Sequence, residues 1–538
     1  MQTRVTWIER TVPVHCQPPA KATNTHRRPV SIRDYPVYYA LLIFCVSAAL
    51  ALVAAEAGHF FLLQEGGYGD VYVLHGVQQL QDTGRIYQDT SQPPYVPTVY
   101  SPAVYMLLSL PGRFIRSGNP FFLPRVLELI SFLLCAILTA SIARSLIPTR
   151  YAWFWGIALA CSFAAVQGKV LMLRGDFPGL VFSLLAIRLL LSRIGYAPML
   201  AGIAAGLAMH FKFTFVAALS AGFLWLLARR RWRDCATFSI AGCTMCLGGY
   251  FFFAVREPRM LSQILTFRHP LTDYPGLFAI ITKVLHEPVL LLGVTALPLV
   301  FGRRWSRWRL LITFLASSFA VAAITDVQAG GAINYFYEAC FAVTPFAVYS
   351  ALRLSARPLP IAGIFIALLV LAGPAESNLR SAYHSARYEG NRVAKVNGEI
   401  LAIGEVVRDK QVFSTVPILA MHGARPILTE PFLLSYLEKL GELDARPLAQ
   451  RIRSQEFDAA ITFADDFSYR GVALSPLLLA SVAESYQRYC EYGGMIFYLP
   501  RQSPLGTLAD RLRGVGCLPE AGQKYLGGSR SADHSNLQ

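Results

Sequence analysis

Charge is scarce in this sequence. Only 15% of its 538 residues are Asp, Glu, Lys or Arg, where soluble domains carry about 25%. With 54% hydrophobic residues and a mean hydropathy of +0.42, that scarcity excludes an ordinary soluble protein. No phosphate-binding Gly-rich loop, zinc-ligand spacing or Ser/His/Asp arrangement stands out, so none of those chemistries is indicated by motif. No internal repeat is visible, which weakens a transporter built from duplicated halves. Acids are short in the first 375 residues, with 15 against 31 Lys and Arg, whereas residues 376–538 hold 18 of each. The net charge of +16 therefore lies wholly in the first part. Its basic residues sit in short loops beside apolar runs, as the positive-inside bias requires. No nucleic-acid partner is expected.

What is present is a series of apolar runs. Segments 37–55 and 236–255 contain no charge, and 151–168, 213–228, 310–325 and 359–375 are similar but shorter. About 20 apolar residues cross a bilayer. Basic clusters at the N-terminal tail, Arg144/Arg150, Arg188/Arg193, Arg229–Arg231, Arg303/Arg304 and Arg353/Arg357 read as cytoplasmic. Threading between them gives spans near 36–62, 121–147, 151–168, 176–192, 197–211, 213–228, 235–255, 284–302, 309–325, 335–353 and 358–375. The expected fold is mainly α: a polytopic membrane protein of about eleven transmembrane helices, N-terminus inside, following a cytoplasmic tail over 1–35. The lipid bilayer is its first partner.

The longest polar interruption before residue 376 is the first outer loop, 64–105. Its spacing predicts a helix over 71–81, stopped at Thr83-Gly84. The stretch 101–115 is apolar but short, and reads as a helix lying at the membrane interface. After 376 the pattern alternates helical and β-type runs, as in a small extracytoplasmic α/β domain over 376–503, about 120 residues in size. Helices are expected over 377–407, 432–440, 447–455 and 475–492, and strands at 411–415, 426–428, 458–463 and 495–499. Residues 504–538 read as a disordered tail. Cys243 and Cys246 form a C-x-x-C inside an apolar run without His or acid nearby, so a metal or redox role has little support. Cys490 and Cys517 are the two cysteines after 376, and whether they pair is open.

Candidate chemistry gathers at the outer ends of the spans. Asp70 opens the 71–81 helix, either as an acid with work to do or as a capping residue. Arg174 and Asp176 lie at a membrane-depth turn, where charges are expensive and have a partner or a task; a simple capping pair is the bland alternative. Lys212 follows the close-packing pair Gly202/Gly206, and a snorkelling lysine is its bland reading. Arg256, Arg268 and His269 belong to a basic outer loop that would suit an anion. Asn334, Tyr335 and Glu338 share a helical face beyond Gly330-Gly331.

The ordered set Asp70, Tyr72, Leu80, Gly84, Tyr87, Asp89, Pro93, Pro94, Tyr100, Pro102, then Arg174, Asp176, then Gly202, Gly206, Lys212, then Gly330, Gly331, Asn334, Tyr335 resembles the GT-C superfamily of polyprenyl-phosphate-sugar-dependent glycosyltransferases, in its protein-mannosyltransferase/ArnT-like branch. The resemblance covers about 36–375. It implies inverting sugar transfer from a polyprenyl-phosphate donor to an acceptor hydroxyl on a glycan, lipid or protein, on the extracytoplasmic face of a cell membrane. Asp70 matches the catalytic acid of the first outer loop. Arg174, Lys212, Arg256 and Arg268 become candidates for the donor phosphate, and Tyr72, Asp89, Tyr100, Asp176, His269, Asn334, Tyr335 and Glu338 for substrate contacts. Many relatives carry paired acids where this chain has Gly69-Asp70-Val71, with Glu65 five residues earlier. No cofactor and no metal are expected. A transporter or flippase of a lipid-linked substrate, or a non-catalytic assembly subunit, are the rival readings.

Overall fold

The computed structural model describes residues 58–63, 69–89, 96–114, 119–149, 151–163, 169–266, 274–300, 305–327, 332–355, 390–416, 425–428, 431–463, 475–502 and 507–519, with isolated positions between them. The helices in chain order are α1 (Asp70–Thr83), α2 (Pro102–Phe114), α3 (Phe122–Leu146), α4 (Tyr151–Ala160), α5 (Asp176–Leu190), α6 (Ala197–Phe211), α7 (Ala217–Ala228), α8 (Trp232–Arg256), α9 (Met260–Thr266), α10 (Tyr274–Leu285), α11 (Pro288–Val294), α12 (Leu297–Val300), α13 (Trp305–Asp326) and α14 (Tyr337–Ser355). Among the described residues, α3, α8 and the 307–326 part of α13 are long and apolar enough to cross a membrane, and α10 with α11 would make a fourth span, bent by 70°. The expected spans at 151–168, 176–192, 197–211, 213–228 and 335–353 fall on helices, most of them shorter than expected. Those at 36–62 and 358–375 lie largely outside the described residues.

Small residues set how closely the bundle packs. A Cβ on Gly202 would collide with the Phe238 carbonyl, and one on Gly206 would lie 2.6 Å from the Gly242 carbonyl. The Gly-x-x-x-Gly spacing therefore lays α6 directly on α8. One buried core runs through α3 to α7 and α11 to α14.

A second core joins the first outer loop to the C-terminal part. Val71, Leu74 and Val77 of α1, and Tyr105 and Leu108 of α2, share it with Ile400 and Ile403 of α15 (Gly390–Val406) and with the inner face of a five-stranded sheet. The strands are β1 (Gln411–Ser414), β2 (Arg425–Leu428), β3 (Ala459–Phe463), β4 (Tyr486–Tyr492) and β5 (Met495–Pro500), in the order β2-β1-β3-β5-β4. β1 runs parallel to β2 and β3, while β5 is antiparallel to both β3 and β4. The other face carries Phe413, Ala460 and Tyr486 against α16 (Pro431–Lys439), α17 (Arg446–Arg453) and α18 (Pro476–Ser485).

Two sequence expectations are corrected here. The 475–492 stretch is not one helix: it stops at Ser485, and Tyr486 begins β4. Tyr486 and Cys490 turn inward there, and Tyr486 closes a bond on the Phe457 carbonyl. The tail expected to be disordered from 504 carries α19 (Thr507–Gly514), whose Leu508, Ala509 and Leu512 are buried. A Cys490–Cys517 disulfide across 27 residues ties it to β4. Composition alone misses such a cross-link.

The disulfide should supply about 3 kcal/mol by restricting the unfolded chain. Cys490→Ser and Cys517→Ser should each lower the thermal midpoint of the purified protein and speed protease cleavage near α19. Equal midpoints in wild type and variants would remove the cross-link from the stability of this part.

Candidate active site

Two helices start in the same way. Gly69 (φ 101°) precedes Asp70 at the start of α1, and Gly175 (φ 67°) precedes Asp176 at the start of α5. Only glycine takes that left-handed backbone cheaply, so the glycine is the cap and the aspartate is the first helical residue. Neither helix start has a side-chain capping bond. The N-cap position of α1 thus belongs to Gly69, and the Asp70 carboxylate reaches across the fold to accept the Leu173 N–H at 3.0 Å. Asp70 is completely buried, and Arg125, Glu128 and Arg174 lie within electrostatic reach of it.

Asp176 is equally engaged. Lys212 Nζ donates to Oδ1 at 2.7 Å, and Asn334 Nδ2 donates to Oδ2 at 2.7 Å. Lys212 also stands 4.2 Å over the Tyr335 ring, which adds a cation–π contact. Burial by itself would lower the Lys212 ammonium; Asp176, Tyr335 and Tyr100 outweigh it and hold the group above its ordinary value. Arg174 behaves alike, with Tyr100, Asp70, Asp176 and Tyr337 prevailing over burial. Both side chains therefore stay cationic. Burial raises the Tyr100 phenol, against the pull of Arg174 and Lys212. Tyr100 is placed by two bonds: its N–H reaches Tyr105 Oη, and its carbonyl accepts Tyr87 Oη–H at 2.6 Å.

The structure thus brings Asp70, Tyr100, Arg174, Asp176, Lys212, Asn334 and Tyr335 together from α1, the 96–101 segment, the 173–176 turn, the end of α6 and the 3-10 turn Ile333–Phe336 that precedes α14. Tyr72 is half-buried on α1. Other candidates go elsewhere. Asp89 pairs with Arg259 at 2.7 Å on the surface. Arg256 is exposed at the end of α8. Glu338 turns into the bundle, where the Ser183 hydroxyl donates to it, and its neighbour Tyr337 faces Asp176 and Arg174 instead. Arg268, His269, Gly330, Gly331 and Glu65 lie outside the described residues.

Several partners escaped the sequence reading. Glu128, buried in α3, accepts the Gly175 N–H at 3.0 Å. Arg125, one turn earlier, donates to the His59 and Leu62 carbonyls at 2.6 Å each. Glu257 accepts the Ile86 and Tyr87 N–H groups, and Gln263 accepts the Thr98 N–H at 2.9 Å, so α9 and the end of α8 clamp the outer loop. An acid and an arginine inside an apolar run were the available signal for Arg125 and Glu128. Among the described residues, no group of His, Cys, Asp and Glu is arranged to hold a metal ion.

No protein-family model and no curated protein matches this sequence. Solved structures do. ArnT from Cupriavidus metallidurans bound to undecaprenyl phosphate superposes with a TM-score of 0.58 at 12% identity, over 85% of this chain and 98% of that one. The apo oligosaccharyltransferase of Archaeoglobus fulgidus gives 0.51 at 14% identity, over 86% and 75%. Both are GT-C glycosyltransferases. At these identities the likeness defines the fold alone: the chain has the fold shared by these two structures.

Removing Lys212 should leave the Asp176 carboxylate buried without its cation, a loss of about 3–5 kcal/mol. We expect Lys212→Met to lower the thermal midpoint strongly and Asp176→Asn/Lys212→Met to recover much of it; an additive double variant would show that the two do not interact. Acid has a separate effect through His75 on α1, whose imidazole burial pushes down from 6.5 to about 4. A lowered histidine favours folding above pH 6.5, and that contribution fades as pH falls from 6.5 towards 4. The midpoint drop between pH 7 and pH 4.5 should be smaller in His75→Gln; an identical drop would exclude this histidine as the source.

Proposed function

We propose that this chain is an integral-membrane glycosyltransferase that moves a sugar from a polyprenyl-phosphate donor onto an acceptor hydroxyl, with inversion at the anomeric carbon. The observation that carries the reading is a buried carboxylate, Asp70, within electrostatic reach of Arg174, on a turn that also carries Asp176 and through it Lys212, in a chain with the fold of ArnT. Asp70 acts as general base. It takes the acceptor hydroxyl proton as that oxygen bonds to the anomeric carbon, and the bond from that carbon to the phosphate oxygen breaks on the opposite face. The electron pair leaves with the polyprenyl phosphate, whose growing charge Arg174 and Lys212 offset. Tyr72, Tyr100, Asn334 and Tyr335 line the place of the sugar. Undecaprenyl phosphate bound to ArnT supports a polyprenyl phosphate as the lipid partner.

The Cys490–Cys517 disulfide favours an oxidising compartment for the sheet, hence the extracytoplasmic side of a bacterial inner membrane, with the N-terminus in the cytoplasm. A flippase would need charges lining a path through the bundle; the candidate site charges Asp70, Arg174, Asp176 and Lys212 gather instead around one turn.

Transfer of radiolabelled sugar from polyprenyl-phosphate donors in membranes tests the reading. Wild type should transfer, and Asp70→Asn, which keeps the size and an acceptor for the Leu173 N–H, should fall by about 10²–10⁴-fold at equal protein level. Equal transfer by both would remove Asp70 as the base.

A further inference from the structure

We propose that Glu128 is the positioning residue of the donor-phosphate clamp, holding the 173–176 turn so that Arg174 and, through Asp176, Lys212 converge on one place. The inference rests on the donor reading given above. Glu128 lies two turns inside α3 and is fully buried, where a carboxylate is costly and needs an occupation. Its Oε1 accepts the Gly175 N–H. Two residues earlier on the same turn, the Leu173 N–H is accepted by Asp70. Carboxylates from α1 and α3 thus grip alternate amides of one short segment.

Gly175 itself has nowhere to go. Its φ of 67° belongs to glycine, and the Val104 side chain presses on the position a Cβ would take. Arg174 and Asp176 are its two chain neighbours. Any shift of the Gly175 amide moves the Arg174 guanidinium away from Asp70 and Tyr100 on one side. On the other side it moves the carboxylate that carries Lys212 and Asn334. The Gly175 bond therefore bears on both cations at once.

The role needs an acceptor oxygen at this position and makes no use of its proton. Gln supplies the oxygen; Met fills the space without it. The test is binding of undecaprenyl phosphate to purified full-length protein in detergent, with the donor KM and kcat measured alongside. Glu128→Gln should bind within about threefold of wild type. Glu128→Met, checked for an intact thermal transition, should bind at least tenfold more weakly and raise KM far more than it lowers kcat. Equal weakening in both variants would assign the work to the charge and overturn the proposal. So would wild-type affinity in the Met variant. Should the Met variant not fold, the Gln variant decides alone: wild-type affinity supports the role and lost affinity refutes it. A folded wild type that does not bind undecaprenyl phosphate would refute the donor reading and this inference together, whereas binding unaffected by either variant would refute the inference alone.

Discussion

The grip of Asp70 and Glu128 on the 173–176 turn is the constraint from which the rest of the site follows. A bare carboxylate in an apolar interior is too costly to keep. Here Asp70 and Glu128 each hold a backbone N–H, and Asp176 holds an ammonium and an amide. Three cations, Arg125, Arg174 and Lys212, stand among these three acids. The set is tolerable only as a whole, because deleting one partner strands another. That interdependence explains why elements far apart in sequence must meet at this end of the bundle.

The outer loop is held down by the same logic. Glu257 and Gln263 satisfy amides at 86, 87 and 98 that no regular structure would satisfy, and buried amides without partners are rare. Arg125 takes the carbonyls of His59 and Leu62. Asn397 of α15 takes the Leu63 N–H and donates to the Phe61 carbonyl. The short turn Gly58–Phe61 is therefore fastened from the bundle on one side and from the sheet's supporting helix on the other. The sheet is tied to the site through it.

Much of the site was legible because charge is so rare in the first 375 residues. Arg174, Asp176 and Lys212 each interrupt an apolar context, Asp70 opens the helix expected in the long polar loop, and Asn334 and Tyr335 follow a Gly pair. Arg125 and Glu128 interrupt one too, but threading spans between basic clusters takes 121–147 whole and passes over two charges inside it. Glu338 shares a face with Asn334 and Tyr335 only along an unbroken α-helix; Ile333–Phe336 is 3-10, so the face is displaced. The 475–492 stretch has helical spacing throughout, and only its sheet partner β5 and the buried Cys490 make its second half a strand. Pairings of that kind are tertiary facts, and local pattern does not carry them.

The two Gly–Asp helix starts make one further point. Placing the left-handed glycine at the cap releases the aspartate from capping its own helix, and the first helical position aims its carboxylate outward from the helix end. In α1 that carboxylate meets a backbone amide, and in α5 it meets a lysine. The difference bears on chemistry. Asp176 is committed to Lys212, so under the donor reading an incoming phosphate shares that ammonium with Asp176, and the affinity of Lys212 for phosphate is tempered by its existing pair. Asp70 accepts a backbone N–H and has Arg125 and Arg174 within electrostatic reach, whereas Asp176 holds Lys212 and Asn334 directly. The same turn geometry thus serves two ends: Asp70 holds the 173–176 turn from α1, and Asp176 ties that turn to Lys212 and Asn334.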